Sequence, residues 1–168
     1  MHDKIAVSLS GCGNMSFSHS TLDNDQPDCH IPTQSEYAGL QIAQHVLVVE
    51  DDSTLAALEA TFLRVHGYIV ITVHSGELAL STLRRSPPDL VVLDLELAGS
   101  IQGWDVLQDL RTFTTIPVLI TTSARTAVRQ HIRTSGETRL TLDHLLKPYP
   151  MQTLLKRVKR MLPIPPSH

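Results

Sequence analysis

Asp89-Leu90-Val91-Val92-Leu93-Asp94 sets four consecutive apolar residues between two carboxylates. Such a run reads as a strand buried on both faces, the kind a parallel sheet uses. Its last residue, Asp94, falls at the carboxyl end of the strand, where open α/β sheets hold their ligands. The same design recurs on either side. Val46-Leu47-Val48-Val49 ends in Glu50-Asp51-Asp52, Val118-Leu119-Ile120 ends in Thr121-Thr122-Ser123, and Leu145-Leu146 ends in Lys147-Pro148. Strand ends of this kind deliver acids, hydroxyls and one ammonium to a single edge. That set can bind a divalent cation and accept a phosphoryl group.

Between the runs the period changes. Residues 53–66 place Leu55, Leu58, Phe62 and Val65 at helical spacing, with Gly67 as the stop. A strand is expected over 69–73. A helix over 75–85 turns Leu78, Leu80 and Leu83 inward and is blocked by Pro87-Pro88. Further helices are predicted over 104–111, 124–134 and 150–162, the last with Leu154, Leu155, Val158 and Leu162 on one stripe. Strands over 45–49, 90–93, 117–120 and 141–146 complete the alternation. Strands alternating with helices imply a parallel sheet with right-handed crossovers.

The 168 residues are 42% hydrophobic and 18% charged, ordinary for a soluble globular chain apart from few aromatics. No apolar run approaches the roughly 20 residues of a membrane span, and no secretory leader is visible, so a cytoplasmic location is expected. Cys12 and Cys29, the only cysteines, are then expected to stay reduced. The net charge of −3 is uneven. Residues 1–44 carry Lys4 against Asp3, Asp23, Asp25, Asp28 and Glu36, a net −4, which leaves +1 for the remainder. Nothing in that balance points to nucleic acid. Residues 1–43, rich in small polar residues and without period, are expected to form a disordered N-terminal extension. Within it, Glu36 to Ala43 can extend helically toward the first strand. The histidines of this segment, His2, His19 and His30, fit no zinc spacing with the two cysteines. The folded domain is expected over 44–163, with 164–168 a short tail.

Residues 45–162 resemble the receiver domain of two-component response regulators. The resemblance rests on Val46-Leu47-Val48-Val49-Glu50-Asp51-Asp52, Ser75-Gly76-Glu77-Leu78-Ala79-Leu80, Pro88-Asp89-Leu90-Val91-Val92-Leu93-Asp94-Leu95, Ile116-Pro117-Val118-Leu119-Ile120 and Lys147-Pro148, in that order. It implies an α/β fold of three layers: a doubly wound, five-stranded parallel sheet, flavodoxin-like, with strand order 2-1-3-4-5. It implies that Asp94 is the phospho-acceptor, charged by a sensor histidine kinase or a phosphotransfer protein and forming an aspartyl phosphate. Mg²⁺ would be held by Asp51 directly, by Glu50 through water, by Asp94, and by the backbone carbonyl of Glu96. Asp52 would be a solvated helix start. Lys147 would pair with the phosphoryl oxygens, across a cis Lys147-Pro148 bond. Thr122, five residues after Pro117, matches the hydroxyl that senses the phosphoryl group; Ser123 is the alternative, and Thr121 should point elsewhere. His144 stands where the family has a Tyr or Phe that changes rotamer on activation.

The chain departs from the family pattern in two places. The loop from Leu95 to Gly103 lacks the usual proline and is one residue longer, and the stretch from Ala124 to Thr141 is longer and lacks the Gly-Ala before the fifth strand. The expected function is a phospho-accepting switch without enzymatic turnover beyond slow self-dephosphorylation. No output domain follows Leu162, so a downstream protein partner is expected, with no membrane and no nucleic acid. Lys156, Arg157, Lys159 and Arg160 read as a solvated helix face. Two other readings compete. One is a degenerate receiver that works as a phosphorylation-independent interaction module, against which all the acceptor residues are present. The other is a phosphohydrolase using an aspartyl phosphate, suggested by Asp94-Leu95-Glu96; there the second acid is normally Asp and the strand is the first of the core.

Overall fold

The computed structural model describes residues 43–162. The readings made of residues 1–42 and 163–168, including the extension, its cysteines and the tail, lie outside the described residues. The strands are β1 (His45–Val49), β2 (Ile69–Val73), β3 (Leu90–Asp94), β4 (Val118–Thr122) and β5 (Leu142–Leu146). The helices are α1 (Ser53–Val65), α2 (Gly76–Arg85), α3 (Gly103–Phe113), α4 (Arg125–Thr134) and α5 (Met151–Met161). All strands pair in parallel, in the order β2-β1-β3-β4-β5. This is the doubly wound order expected from the resemblance. β3 reaches one residue further than predicted and ends on Asp94 itself.

The sheet divides the core in two because successive strand residues face opposite sides. On one side Leu47, Val91, Leu93 and Ile120 meet Leu83, Val106, Leu107 and Leu110 of α2 and α3. On the other, Val46, Val48, Val92 and Leu119 meet Ala60, Leu63, Leu154 and Val158 of α1 and α5. β3 and β4 are buried along their whole length, as their unbroken apolar runs require.

Two inward faces differ from expectation. In α1 the buried residues are Ala56, Glu59, Ala60 and Leu63, while Leu58 and Val65 are exposed by 53% and 78%. Two alanines let the helix approach the sheet closely, and Glu59 interrupts the apolar stripe that would have marked this face. In α2 Leu78 is exposed, and Gly76, Ala79 and Leu83 face the core, with Leu80 packed at its edge. The stripe predicted for α5 is buried, with Met161 added to it.

Local chemistry fixes the helix ends. Asp52 is the N-cap of α1; its Oδ1 accepts from Thr54 N at 2.8 Å and Leu55 N at 3.1 Å, satisfying two of the otherwise unpaired first-turn amides. Gly67 follows the helix with φ +92°, a conformation that favours glycine. Ser75 caps α2 through Leu78 N. Between α4 and β5 the half-buried Arg111 of α3 binds both oxygens of Glu137 and donates to the carbonyls of Ile116 and Thr141. One guanidinium thus pins the long stretch before β5.

Candidate functional site

Strand register gathers the site. β1, β3 and β4 lie side by side, so Glu50 and Asp51 emerge next to Asp94, and Asp94 is level with Thr121. Thr122 is level with Leu146, which brings Lys147 to the same edge; Lys147 N donates to the Thr122 carbonyl at 2.9 Å. The ammonium of Lys147 donates to Asp94 Oδ2 and to Glu50 Oε2, each at 2.7 Å. Carboxylate oxygens of Glu50, Asp51 and Asp94 all lie within 4.8 Å of one another. The residues that the sequence analysis placed at separate strand ends therefore meet in one cluster. Glu50 and Asp94 are each 2% exposed, whereas Asp51 faces solvent.

The loop after Asp94 wraps round the acids. Glu96 N donates to Asp94 Oδ1 at 3.0 Å, and Ala98 N donates to Asp51 Oδ2 at 3.0 Å. The Glu96 carboxylate accepts from Ser123 N, at 3.1 and 3.2 Å to its two oxygens, tying this loop to the end of β4. Only the Glu96 backbone carbonyl was singled out from the sequence; the side-chain tie had no sequence signal. Gly103 closes the loop against the site. A Cβ there would stand 2.1 Å from the Asp94 carbonyl oxygen, a distance no side chain permits.

The electrostatics follow from burial. Three acids face one ammonium, and burial pushes the Glu50 carboxyl up to about 7. The neighbouring charge of Asp94 adds to the rise, while the Lys147 contact works against it without prevailing. Burial alone would lower Lys147, but its contacts with Asp94 and Glu50 outweigh that and raise it, so the ammonium stays charged. Closely placed oxygen donors with excess negative charge suit a hard divalent cation such as Mg²⁺.

The hydroxyls separate clearly. Thr122 is fully buried, and its Oγ1 accepts from Ala124 N at 2.9 Å; Ser123 is exposed. His144 is half-buried, and its Nδ1 lies inside without a hydrogen-bond partner among the described residues. Burial holds its pKa below the ordinary value; Arg157, Arg129 and Arg139 push the same way against the opposing charge of Asp143. Lys147-Pro148 is cis. The basic face of α5 is a partial correction: Lys156, Lys159 and Arg160 are exposed as expected, but Arg157 is half-buried, and Arg157 and Arg160 both bind Asp143, buried in β5. A cleft of about 740 Å³ between α3, α4 and the residues after α4, lined by Trp104, Leu107, His131 and Thr141, includes none of Glu50, Asp51 and Asp94.

Residues 46–159 match the sequence pattern of the response regulator receiver domain. The chain belongs to that family. It is 32% identical over 117 residues to the transcriptional regulatory protein BaeR of Escherichia coli O6:H1, covering 70% of this chain and 47% of BaeR. It is 34% identical to the sensory transduction protein RegX3 of Mycolicibacterium smegmatis, covering 70% of this chain and 50% of RegX3. The chain thus spans about half the length of these relatives. Among solved structures it is similar to the beryllofluoride-activated receiver domain of Klebsiella pneumoniae RstA, at 31% identity and TM-score 0.60, over 71% of this chain and 98% of that one. It is also similar to the signal receiver domain of a LuxO repressor protein from Vibrio parahaemolyticus, at 28% identity and TM-score 0.64, over 72% and 91%. Among the described residues no helix is long and apolar enough to cross a membrane.

Proposed function

We propose that this receiver domain is a phosphorylation switch in which Asp94 accepts a phosphoryl group from a phosphohistidine of a sensor kinase or phosphotransfer protein. The supporting observation is Lys147 Nζ bridging Asp94 and Glu50 beside Asp51. A carboxylate oxygen of Asp94 attacks phosphorus as the bond to the donor imidazole breaks, and the electron pair departs with the imidazole nitrogen. Repulsion between carboxylate and phosphoryl oxygens is the main obstacle, and phosphoryl transfer is governed by positioning and charge. Lys147 supplies a fixed positive charge on one side. Mg²⁺ would be held by Asp51, Asp94 and the Glu96 carbonyl, with Glu50 through water, and would neutralise charge on the other side. The Thr122 hydroxyl donates to a phosphoryl oxygen once it is present, giving up its contact with Ala124 N. That movement frees space on the face of the sheet it shares with His144, and His144 responds.

We read the domain as a switch rather than an enzyme, losing its phosphoryl group only slowly to water. Its readout is contact with a downstream protein. DNA binding is named for the response regulator MtrA of Mycobacterium leprae, of which this chain matches 51%. Outside residues 1–44 this chain carries a net +1, which favours a protein partner. Beryllofluoride, a phosphoryl mimic, tests the reading. A bound fluorine NMR signal is expected with Mg²⁺ present, and its persistence in Asp94→Ala would refute the acceptor assignment.

A further inference from the structure

Glu59 has no place in the switch described so far, yet it is 0% exposed, on the inward stripe of α1 between Ala56, Ala60 and Leu63. A carboxyl in an apolar core is costly compared with leucine or methionine of similar size. Among the described residues its one partner is Tyr149, whose hydroxyl donates to Glu59 Oε1, and Glu59 Oε2 is buried with no partner. The two residues come from the two segments that carry the opposite charges of the site. α1 follows directly on Glu50 and Asp51, and Tyr149 lies two residues past Lys147. Lys147 has a long, flexible stem, so where its ammonium rests depends on how the backbone around it is held.

We propose that the buried Glu59–Tyr149 pair is a positioning device: it clamps the segment bearing Lys147 to α1 and so holds the ammonium over Asp94 and Glu50. The proposal rests on the phospho-acceptor reading above. Electrostatics agree with it. Burial raises the pKa of Glu59, and its carboxyl senses both Lys147, which lowers the pKa, and Asp94, which raises it. A purely packing role would be served as well by an apolar pair.

Two measurements on the full chain test this. The first is the NMR signal of the Lys147 ammonium, which needs no phosphoryl transfer. The second is the rate of phosphorylation by acetyl phosphate at saturating Mg²⁺. Tyr149→Phe is expected to shift the signal and slow the reaction about tenfold, the scale of lost outer-layer support. Its Mg²⁺ affinity, read from Trp104 fluorescence, should not change. The double variant Glu59→Leu/Tyr149→Phe restores an apolar core and should be at least as stable as Tyr149→Phe, yet remain slow. Glu59→Gln keeps an acceptor for the hydroxyl and should stay within about twofold of the natural rate. An unmoved Lys147 signal in both Tyr149→Phe and the double variant would overturn the proposal, as would a Glu59→Gln rate as low as that of Tyr149→Phe. A shifted signal with an unchanged rate would support the clamp and fault instead the part given to Lys147 in phosphoryl transfer.

Discussion

Two residues outside the acid cluster carry sharp expectations. His144 has a pKa held below its unfolded value of 6.5. The folded protein therefore binds this proton less readily than the unfolded chain. The stability contributed by neutral His144 is present above 6.5 and is lost as pH falls through the lowered folded value. His144→Phe should accordingly flatten the dependence of urea-unfolding stability on pH between about pH 5 and about pH 7. An unchanged slope would mean that His144 is not held neutral by burial. The inward movement proposed for His144 on activation should likewise weaken as the ring charges, because a charged imidazole is costly to bury. Gly103 is the second case. Its backbone abuts the Asp94 carbonyl, so Gly103→Ala must displace either the loop after Asp94 or the end of β3. A loss of about 2 kcal/mol or more in denaturant unfolding is expected, within the range for overpacked sites.

At the scale of elements, α1 shows what sequence periodicity could and could not disclose. The alternation of strands and helices was legible because β1, β3 and β4 are buried on both faces and so carry unbroken apolar runs. The inward face of α1 was not, since alanines are weak markers and a buried glutamate reads as exposed. The difference is measurable. Leu63→Ala should cost about 2–5 kcal/mol through loss of burial and the cavity left behind, whereas Leu58→Ala should fall within about 0.5 kcal/mol of neutral. Equal costs would contradict the orientation of the helix. The anchoring role of Arg111 was also hidden, because its four acceptors come from residues 116, 137 and 141, brought together only by the fold. α4 is held more lightly: it begins at Ala124 without a side-chain cap, and Val128 is its buried anchor among the described side chains. Its amides should exchange with deuterium faster than those of α1; slower exchange would refute light docking.

For the whole molecule, the candidate site was legible because a parallel sheet delivers every strand's carboxyl end to one edge. Glu50, Asp51, Asp94 and Lys147 needed only the strand order to be brought together. What joins them from behind was not legible, since Tyr149 meets the Glu59 side chain across 90 residues of chain, and the Ser123 amide meets the Glu96 carboxylate across 27. Divalent-cation binding should be visible through Trp104, the only tryptophan, which follows Gly103 at the start of α3. Asp51→Ala should abolish the Mg²⁺-dependent fluorescence change, and a mutant that titrates like the natural protein would exclude Asp51 as a ligand. The central claim, that Asp94 is the phospho-acceptor, is tested most directly by intact-mass analysis after incubation with acetyl phosphate and Mg²⁺. The natural chain should gain the mass of one phosphoryl group and Asp94→Asn none; an adduct of that mass on Asp94→Asn would contradict it.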